Sequence, residues 1–424
     1  MARMAWKRWS LTGAGVLAAS LMTAGFGGGQ TLAANNSGVF HSSFTSNIET
    51  LDPAQWTDTT SASPMQEIYD TLVEYNPTTS ALQPGLAKSW TLSKDGKTYT
   101  FYLRSGVKFS NGDPLTAQDV IYSLNRVARG DATTSGAAPY GFAYSDIVGY
   151  TQWFNSGKTP PSGMTGMPGL TSPKAGVVQI KLVTPQAYFL NEIALNSADI
   201  LDPAVVQKYG QNYELHAIGT GPYMLKSWNQ GHQMILVNNP KSWKPQPKVK
   251  EIILDENVSP DLALLRFQSG EYDFLWGPLP TEVYAKVLSS PILKKDYRNV
   301  PENGMVYLAF NTTKAPFNNL YLRQAVNYAL NKPLIIKDIT NGRAITLTQP
   351  LPPGIPGYNA SIKNPYPYNV AKAKALVKKS GYKGQTINFI YPSTTTDRIR
   401  TAEIVQNELQ ARFQVPLALS SVGQ

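Results

Sequence analysis

The 424-residue chain contains no cysteine and only three histidines. The first absence excludes disulfides, thiolate-bound metal, a cysteine nucleophile and a lipid-modified cysteine. The histidines stand at 41, 216 and 232. They form no HExxH or His-x-His pair, so each reads as a surface or satisfied core residue rather than a metal ligand. Charge is scarce too: Asp, Glu, Lys and Arg make up 16% of the chain, against roughly 25% in an average soluble protein. Tyr (23), Pro (31) and Gly (33) help to fill the gap. A polar but weakly charged surface of this kind suits an acidic or extracellular medium.

Catalytic signatures are missing as well. Gly157-Lys158-Thr159 imitates the end of a phosphate loop, but Gln152 stands where that motif needs glycine. Gly96-Lys97-Thr98 fails in the same way at Thr91. No GxSxG elbow or EF-hand loop occurs. Paired carboxylates such as Asp261, Glu271 and Asp273 are formal candidates for glycosidase chemistry. Their positions, in a helix's first turn and just past its end, read as structural. No cofactor and no metal site is expected.

What is present begins with an address. MARMAWKRWS is basic, LTGAGVLAASLMTAGF is apolar and small, and TLAAN offers a small-residue cleavage site. This is the layout of a secretory signal peptide over residues 1–34, with removal after Ala33 or Ala34. The formal charge of +10 then falls to about +7, since Arg3, Lys7 and Arg8 leave. The densest basic stretch, KSWKPQPKVK (241–250), reads as a solvated, proline-stiffened connection, and nucleic acid is not an expected partner. No later run is long enough to cross a bilayer as a helix.

At this length two or three domains are the default. Strands and helices alternate, which predicts an α/β protein with mixed sheets. Tyr99, Phe101 and Leu103 alternate with polar neighbours and predict a half-buried strand. Asn111-Gly112 and Asp113-Pro114 mark turns. Thr116 with Asp119 forms a capping box for a helix whose buried face is Ile121, Leu124 and Val127 or Ala128. Ser63 and Pro64 are read as the cap and first residue of a helix running toward Tyr75. AYFLNEIAL reads as a helix, HQMILVNNP and EIILDENV as strands, and MVYLAFN (305–311) as a strand. Asn369 and Gly381 bracket the helix VAKAKALVKKS.

Taken in order, AKSWTLSKDGKTYTFYLRSGVKFSNGDPLTAQDVIYSLNR (87–126), IGTGPYMLKSW (218–228), LALLRFQSGEYDF (262–274) and YLAFNTTKAPFNNLYLRQAVNYALNK (307–332) closely resemble one family. It is family 5 of the extracellular solute-binding proteins of peptide and nickel ABC transporters. The resemblance spans essentially the whole exported chain. It implies a two-lobed periplasmic-binding-protein-like fold of the class II type with an extra inserted subdomain. Residues 35–75 and 185–300 would form the core of lobe I, 76–184 the inserted subdomain, and 301–424 a lobe II incomplete at its C-terminus.

The function implied is capture of di- or oligopeptides between two lobes and delivery to a membrane permease, by a monomer without enzymatic activity. The implied ligand contacts are the loop Thr57, Asp58, Thr59 and Thr60, with Trp276, Tyr307, Ser393 and Thr394. For Trp276 and Tyr307 ordinary core packing is the competing reading, and for Asp58 a hydrogen bond within its own loop. The expected location is periplasmic or extracellular, associated with the cell envelope but not through a lipid, since cysteine is absent. The alternatives are the same fold holding a nickel chelate, haem or an oligosaccharide, a sensory role, or a secreted hydrolase.

Overall fold

The computed structural model describes residues 38–422, apart from 131, 134–135, 158–162, 277–278, 299–303, 356 and 393–395. The signal segment lies outside the described residues. The chain divides into two units, one ending at Trp276 and one beginning at Gly277. The sequence reading put the change of lobe near residue 300. Arg343 ties the intervening segment to unit 2: its Nη1 donates to the Leu279 carbonyl at 2.7 Å and its guanidinium lies 4.2 Å over the Tyr284 ring.

Unit 1 holds two four-stranded sheets. The chain starts in the first with β1 (Val39–Ser43), passes through helix α1 (Thr59–Ile68) and pairs β2 (Val73–Tyr75) with β3 (Leu82–Pro84). It then builds the second sheet from β4 (Ala87–Leu92), β5 (Thr98–Leu103), β6 (Leu170–Lys174) and β7 (Val177–Lys181), in the order β4-β5-β7-β6. Finally it returns to the first through β8 (Tyr223–Asn229), β9 (Gln233–Asn238) and β10 (Glu251–Asp255). The first sheet has the order β1-β10-β9-β8, with β1 and β10 parallel and the remaining pairs antiparallel.

The second sheet shows how local pattern becomes packing. Tyr99, Phe101 and Leu103 of β5 are buried while their neighbours are half-buried, as strand alternation requires. Helix α2 (Ala117–Val127) starts at a reciprocal cap: the Asp119 amide donates to Thr116 Oγ1, and Asp119 Oδ2 accepts from the Thr116 amide at 2.7 Å. Val120, Leu124 and Val127 join Phe101, Val178 and Ile180 in one core. A second core gathers Met65 and Ile68 of α1 with Met234, Leu236 and Leu254 of the first sheet.

Three predicted elements differ. Helix α1 begins at Thr59 and stops at Ile68, so Ser63 is not its cap and Pro64 lies inside it. The reason is Asp58, whose Oδ1 accepts from the Ser61 amide at 2.7 Å and nucleates the helix earlier. Beyond Tyr69 the chain is drawn into pairing as β2. AYFLNEIAL yields only a single turn at Phe189–Glu192, followed beyond its end by a 3-10 turn at Asn196–Ala198. Residues 305–310 form no strand, because no described neighbour pairs with them and a strand exists only through its partner.

Unit 2 packs helices Leu320–Ala329, Val370–Ser380 and Thr396–Phe413 on a parallel pair, β11 (Ile387–Pro392) and β12 (Leu417–Val422). Val326, Ala373, Val405, Leu409, Phe413 and Leu417 share its core. Asn369 Oδ1 caps Val370–Ser380 by accepting from the Lys372 amide, and Gly381 ends it with φ +69°, as the sequence predicts.

Candidate functional site

The parallel strands β1 and β10 place their carboxyl ends side by side, and in open α/β sheets such ends are where ligands are met. Beyond Ser43 the ladder continues: the Phe44 amide donates to the Asp255 carbonyl (2.8 Å) and the Val258 amide to that of Phe44 (3.0 Å). The loop that follows is held by the buried Glu256. Its Oε2 accepts from the Ile48 and Gly231 amides at 2.9 and 3.2 Å, and its Oε1 from Trp228 Nε1 at 2.7 Å. A buried carboxylate with three donors is fully used as scaffold.

This scaffold presents the expected loop. Thr57 and Thr59 are exposed, while Asp58 and Thr60 are half-buried. Thr60 Oγ1 lies 3.2 Å from Ser46 Oγ, which fastens the start of α1 to the segment leaving β1. Trp56 Nε1 donates to the Asp58 carbonyl at 2.7 Å, and its ring stacks on Tyr140 at 4.7 Å. Asp58 does make its local bond through Oδ1. Its Oδ2 is enclosed yet has no hydrogen-bond partner among the described residues.

Trp276 is 43% exposed and therefore not a core residue. It packs against Phe44 at 5.7 Å between ring centroids and meets Phe274 edge-on at 5.2 Å. The segment carrying it runs along β1: Asp273 N donates to the His41 carbonyl, His41 N to Asp273 Oδ2, and Ser42 Oγ to the Phe274 carbonyl, all at 2.7–2.8 Å. Phe44 and Ser46 are two residues apart, so Trp276 and Thr60 sit at the same end of β1. The structure thus brings Thr57–Thr60 and Trp276 to one face of unit 1. Tyr307 belongs to unit 2, where it is 69% exposed on an irregular segment instead of a strand. Ser393 and Thr394 lie outside the described residues.

Sequence reasoning missed Phe274, half exposed beside Trp276, and Phe40, whose ring lies 6.5 Å from that of Phe274. The signal was available in the alternation Tyr272, Phe274, Trp276, of which only Tyr272 points into the protein. Tyr272 Oη donates to Asp255 Oδ2 at 2.7 Å, alongside Arg266 Nη1 at 3.1 Å, and His41 Nε2 lies 3.1 Å from the same oxygen. Gln233 Nε2 donates to the other oxygen at 2.8 Å. Burial alone would raise the Asp255 pKa, but the bonds from Gln233, Tyr272 and His41 outweigh it and hold the carboxyl below the usual range. Among the described residues no group of three or more His, Cys, Asp or Glu side chains is arranged to hold a metal.

The motif GTGPY has a mechanical meaning here. The Gly221 amide donates to the Ile68 carbonyl at 2.9 Å, at the end of α1. A Cβ on Gly219 would stand 2.0 Å from that carbonyl oxygen, and one on Gly221 2.4 Å from that of Glu67. Glycine is needed for backbone to approach backbone so closely.

The family model of bacterial extracellular solute-binding proteins, family 5 (middle region), matches residues 81–413. The glutathione-binding protein GsiB of Escherichia coli O6:K15:H31 is 32% identical over 343 residues, covering 80% of this chain and 60% of GsiB. GsiB of Escherichia coli K12 is 31% identical over the same coverage. The chain therefore spans about three fifths of the length of these curated relatives. Among solved structures, DppA of Helicobacter pylori in complex with the peptide STSA is 26% identical with a TM-score of 0.76, covering 91% of this chain and 73% of that one. The oligopeptide-binding protein OppAIV of Borrelia burgdorferi superimposes with a TM-score of 0.78 at 22% identity, over 91% of this chain and 75% of that one. These likenesses show the two-lobed α/β fold of periplasmic binding proteins that the sequence predicts.

Proposed function

The chain belongs to the bacterial extracellular solute-binding proteins of family 5, and from that premise we propose that it captures di- or oligopeptides outside the cytoplasm for an ABC transporter. The observation that carries the reading is the family match over residues 81–413, whose relatives include proteins named for glutathione and for oligopeptides. Delivery to a membrane permease, a monomeric state and the absence of catalysis belong to the same proposal. So do export by residues 1–34 and an unlipidated life at the cell envelope. Among the described residues no helix is long and apolar enough to cross a membrane.

The site residues fit peptide chemistry. An extended peptide offers alternating backbone donors and acceptors, and binding it through the main chain tolerates many sequences. Thr57, Thr59 and Thr60 supply hydroxyls, and Asp58 Oδ2 is an acceptor still without a donor. Trp276 and Phe274 provide a flat apolar surface for a side chain. Tyr307, Ser393 and Thr394 are proposed as further contacts on the same grounds of residue type.

Native mass spectrometry of the protein purified from its own cells tests the class. A ladder of co-purified peptide masses, or saturable thermal stabilisation by glutathione or a tetrapeptide without turnover, is the expected result. One co-purified non-peptide mass would instead assign the site to another solute, and turnover of peptide or glycan would make the protein a hydrolase.

A further inference from the structure

The junction between the two sheets of unit 1 buries more carboxyl groups than it can neutralise. Lys244 Nζ lies 2.6 Å from Asp70 Oδ1 and 2.9 Å from Glu74 Oε1. Asp70 is 2% exposed, and its other oxygen accepts from Thr220 Oγ1 (2.6 Å) and Trp243 Nε1 (2.8 Å). The Ile200 amide donates to the Asp70 carbonyl at 3.1 Å, which sets Asp199 beside it. Asp199 is 3% exposed, and among the described residues the one hydrogen-bond donor to its carboxylate is Asn196 Nδ2 at 3.2 Å. Glu67 closes the group from the last turn of α1.

Four carboxyls thus face one ammonium. The other groups turned toward them are Tyr69 and Tyr144 near Asp199, and Tyr223 near Glu67. None of these phenols supplies a positive charge. Arg104 is directed elsewhere, over the Trp243 ring at 4.3 Å with Nε on the Gly85 carbonyl. Lys244 comes from KSWKPQPKVK, whose sequence suggests a solvated connection. The fold instead half-buries Trp243 and Lys244 and turns the Lys244 ammonium onto these carboxyls.

We propose that the carboxyls Glu67, Glu74 and Asp199, gathered around the Asp70–Lys244 pair, are kept partly protonated in the folded protein, making unit 1 a junction that tightens in mildly acidic medium. A buried carboxylate without a counter-charge is expensive, and a bound proton removes the cost. The individual groups agree. Burial raises the Glu74 pKa, Lys244 opposes and Asp70 adds to the rise, leaving it at about 7. Burial also raises Glu67 and lifts Asp199 well above the carboxylate range.

The sign follows from linkage. Unfolded Asp and Glu titrate near ~4. Between that value and about 7 the folded chain holds more protons than the unfolded one, so stability from this cluster grows as pH falls through 7 and is complete below the unfolded pKa. A chain with only 16% charged residues matches such a medium.

The test is the unfolding temperature of the full chain between pH 8 and pH 5.5, for wild type, Glu74→Gln and Asp199→Asn. Wild type is expected to gain roughly 5 °C on acidification. The neutral variants should lose much of that gain by being as stable as wild type, or more so, at pH 8. A wild-type curve that is flat or falls toward pH 5.5 overturns the proposal. So do variants that keep the full slope, or are weakened equally at both pH values. Should a variant fail to fold, infrared spectroscopy of wild type decides: a protonated-carboxyl band at pH 7 that disappears at alkaline pH is required, and its absence overturns the assignment.

Discussion

Arg126 grips Asp52 with both ends of its guanidinium, Nη1 to Oδ1 at 2.6 Å and Nη2 to Oδ2 at 2.5 Å. Burial works against the charge on Arg126, but the bond to Asp52 more than compensates and its pKa lies above the ordinary value. Asp52 Oδ1 also accepts from the Ala54 amide at 2.9 Å. The last turn of α2 therefore holds the backbone that leads into Thr57–Thr60.

Breaking that pair should be costly, because either partner alone is a buried charge. Arg126→Ala is expected to lose about 3 kcal/mol in a urea titration. Arg126→Lys should recover less than half, since an ammonium cannot bridge both oxygens. A loss under about 1 kcal/mol for the alanine variant would show the pair to be solvated in practice.

The glycine contacts beneath α1 predict steric failure. Gly219→Ala forces a methyl to 2.0 Å from the Ile68 oxygen, where backbone must move. The expected loss is about 3 kcal/mol or more, read as a lowered denaturation midpoint or as insoluble protein. A midpoint equal to wild type would mean that the two segments do not approach this closely.

Trp276→Ala separates binding from folding. The ring is half exposed, so stability should change by less than about 1 kcal/mol. Affinity for the peptide identified by mass spectrometry should fall about tenfold in calorimetry, the size of a moderate contact residue. Unchanged affinity would remove Trp276 from the site.

Asp255 should respond to acid in the opposite direction to the carboxyl cluster. Its folded pKa is depressed, so its contribution is present above the unfolded value of about 3.9 and is lost as pH falls through the lower folded value. Asp255→Asn should be less stable than wild type at pH 7, with the margin closing below about pH 4. A margin that persists undiminished well below pH 4 would contradict the depressed pKa.

Much of the fold was legible because its causes are local. The alternation in β5, the Thr116–Asp119 cap and the Asn369 and Gly381 boundaries each depend on residues within a few positions of one another. The ordered motifs placed the chain in its family. The start of α1 was misread because Ser63-Pro64 is a valid cap signal; the stronger one, Asp58, lay five residues upstream. Residues 305–310 have strand composition but no neighbouring strand among the described residues, and composition cannot report a partner.

By itself the sequence determined the periods, caps and turns, the two-lobed α/β family, and a chain poor in charge and free of cysteine. Only the tertiary structure decided that Arg126 reaches Asp52, that Phe44 meets Trp276, and that Lys244 leaves a lysine-rich stretch to enter a nest of carboxyls. The physical reason is the same in each case. Hydrophobic period and capping act along the chain over a turn or two. The energy of a charge or an aromatic face is set by what stands opposite it, and that is known only once distant segments have met.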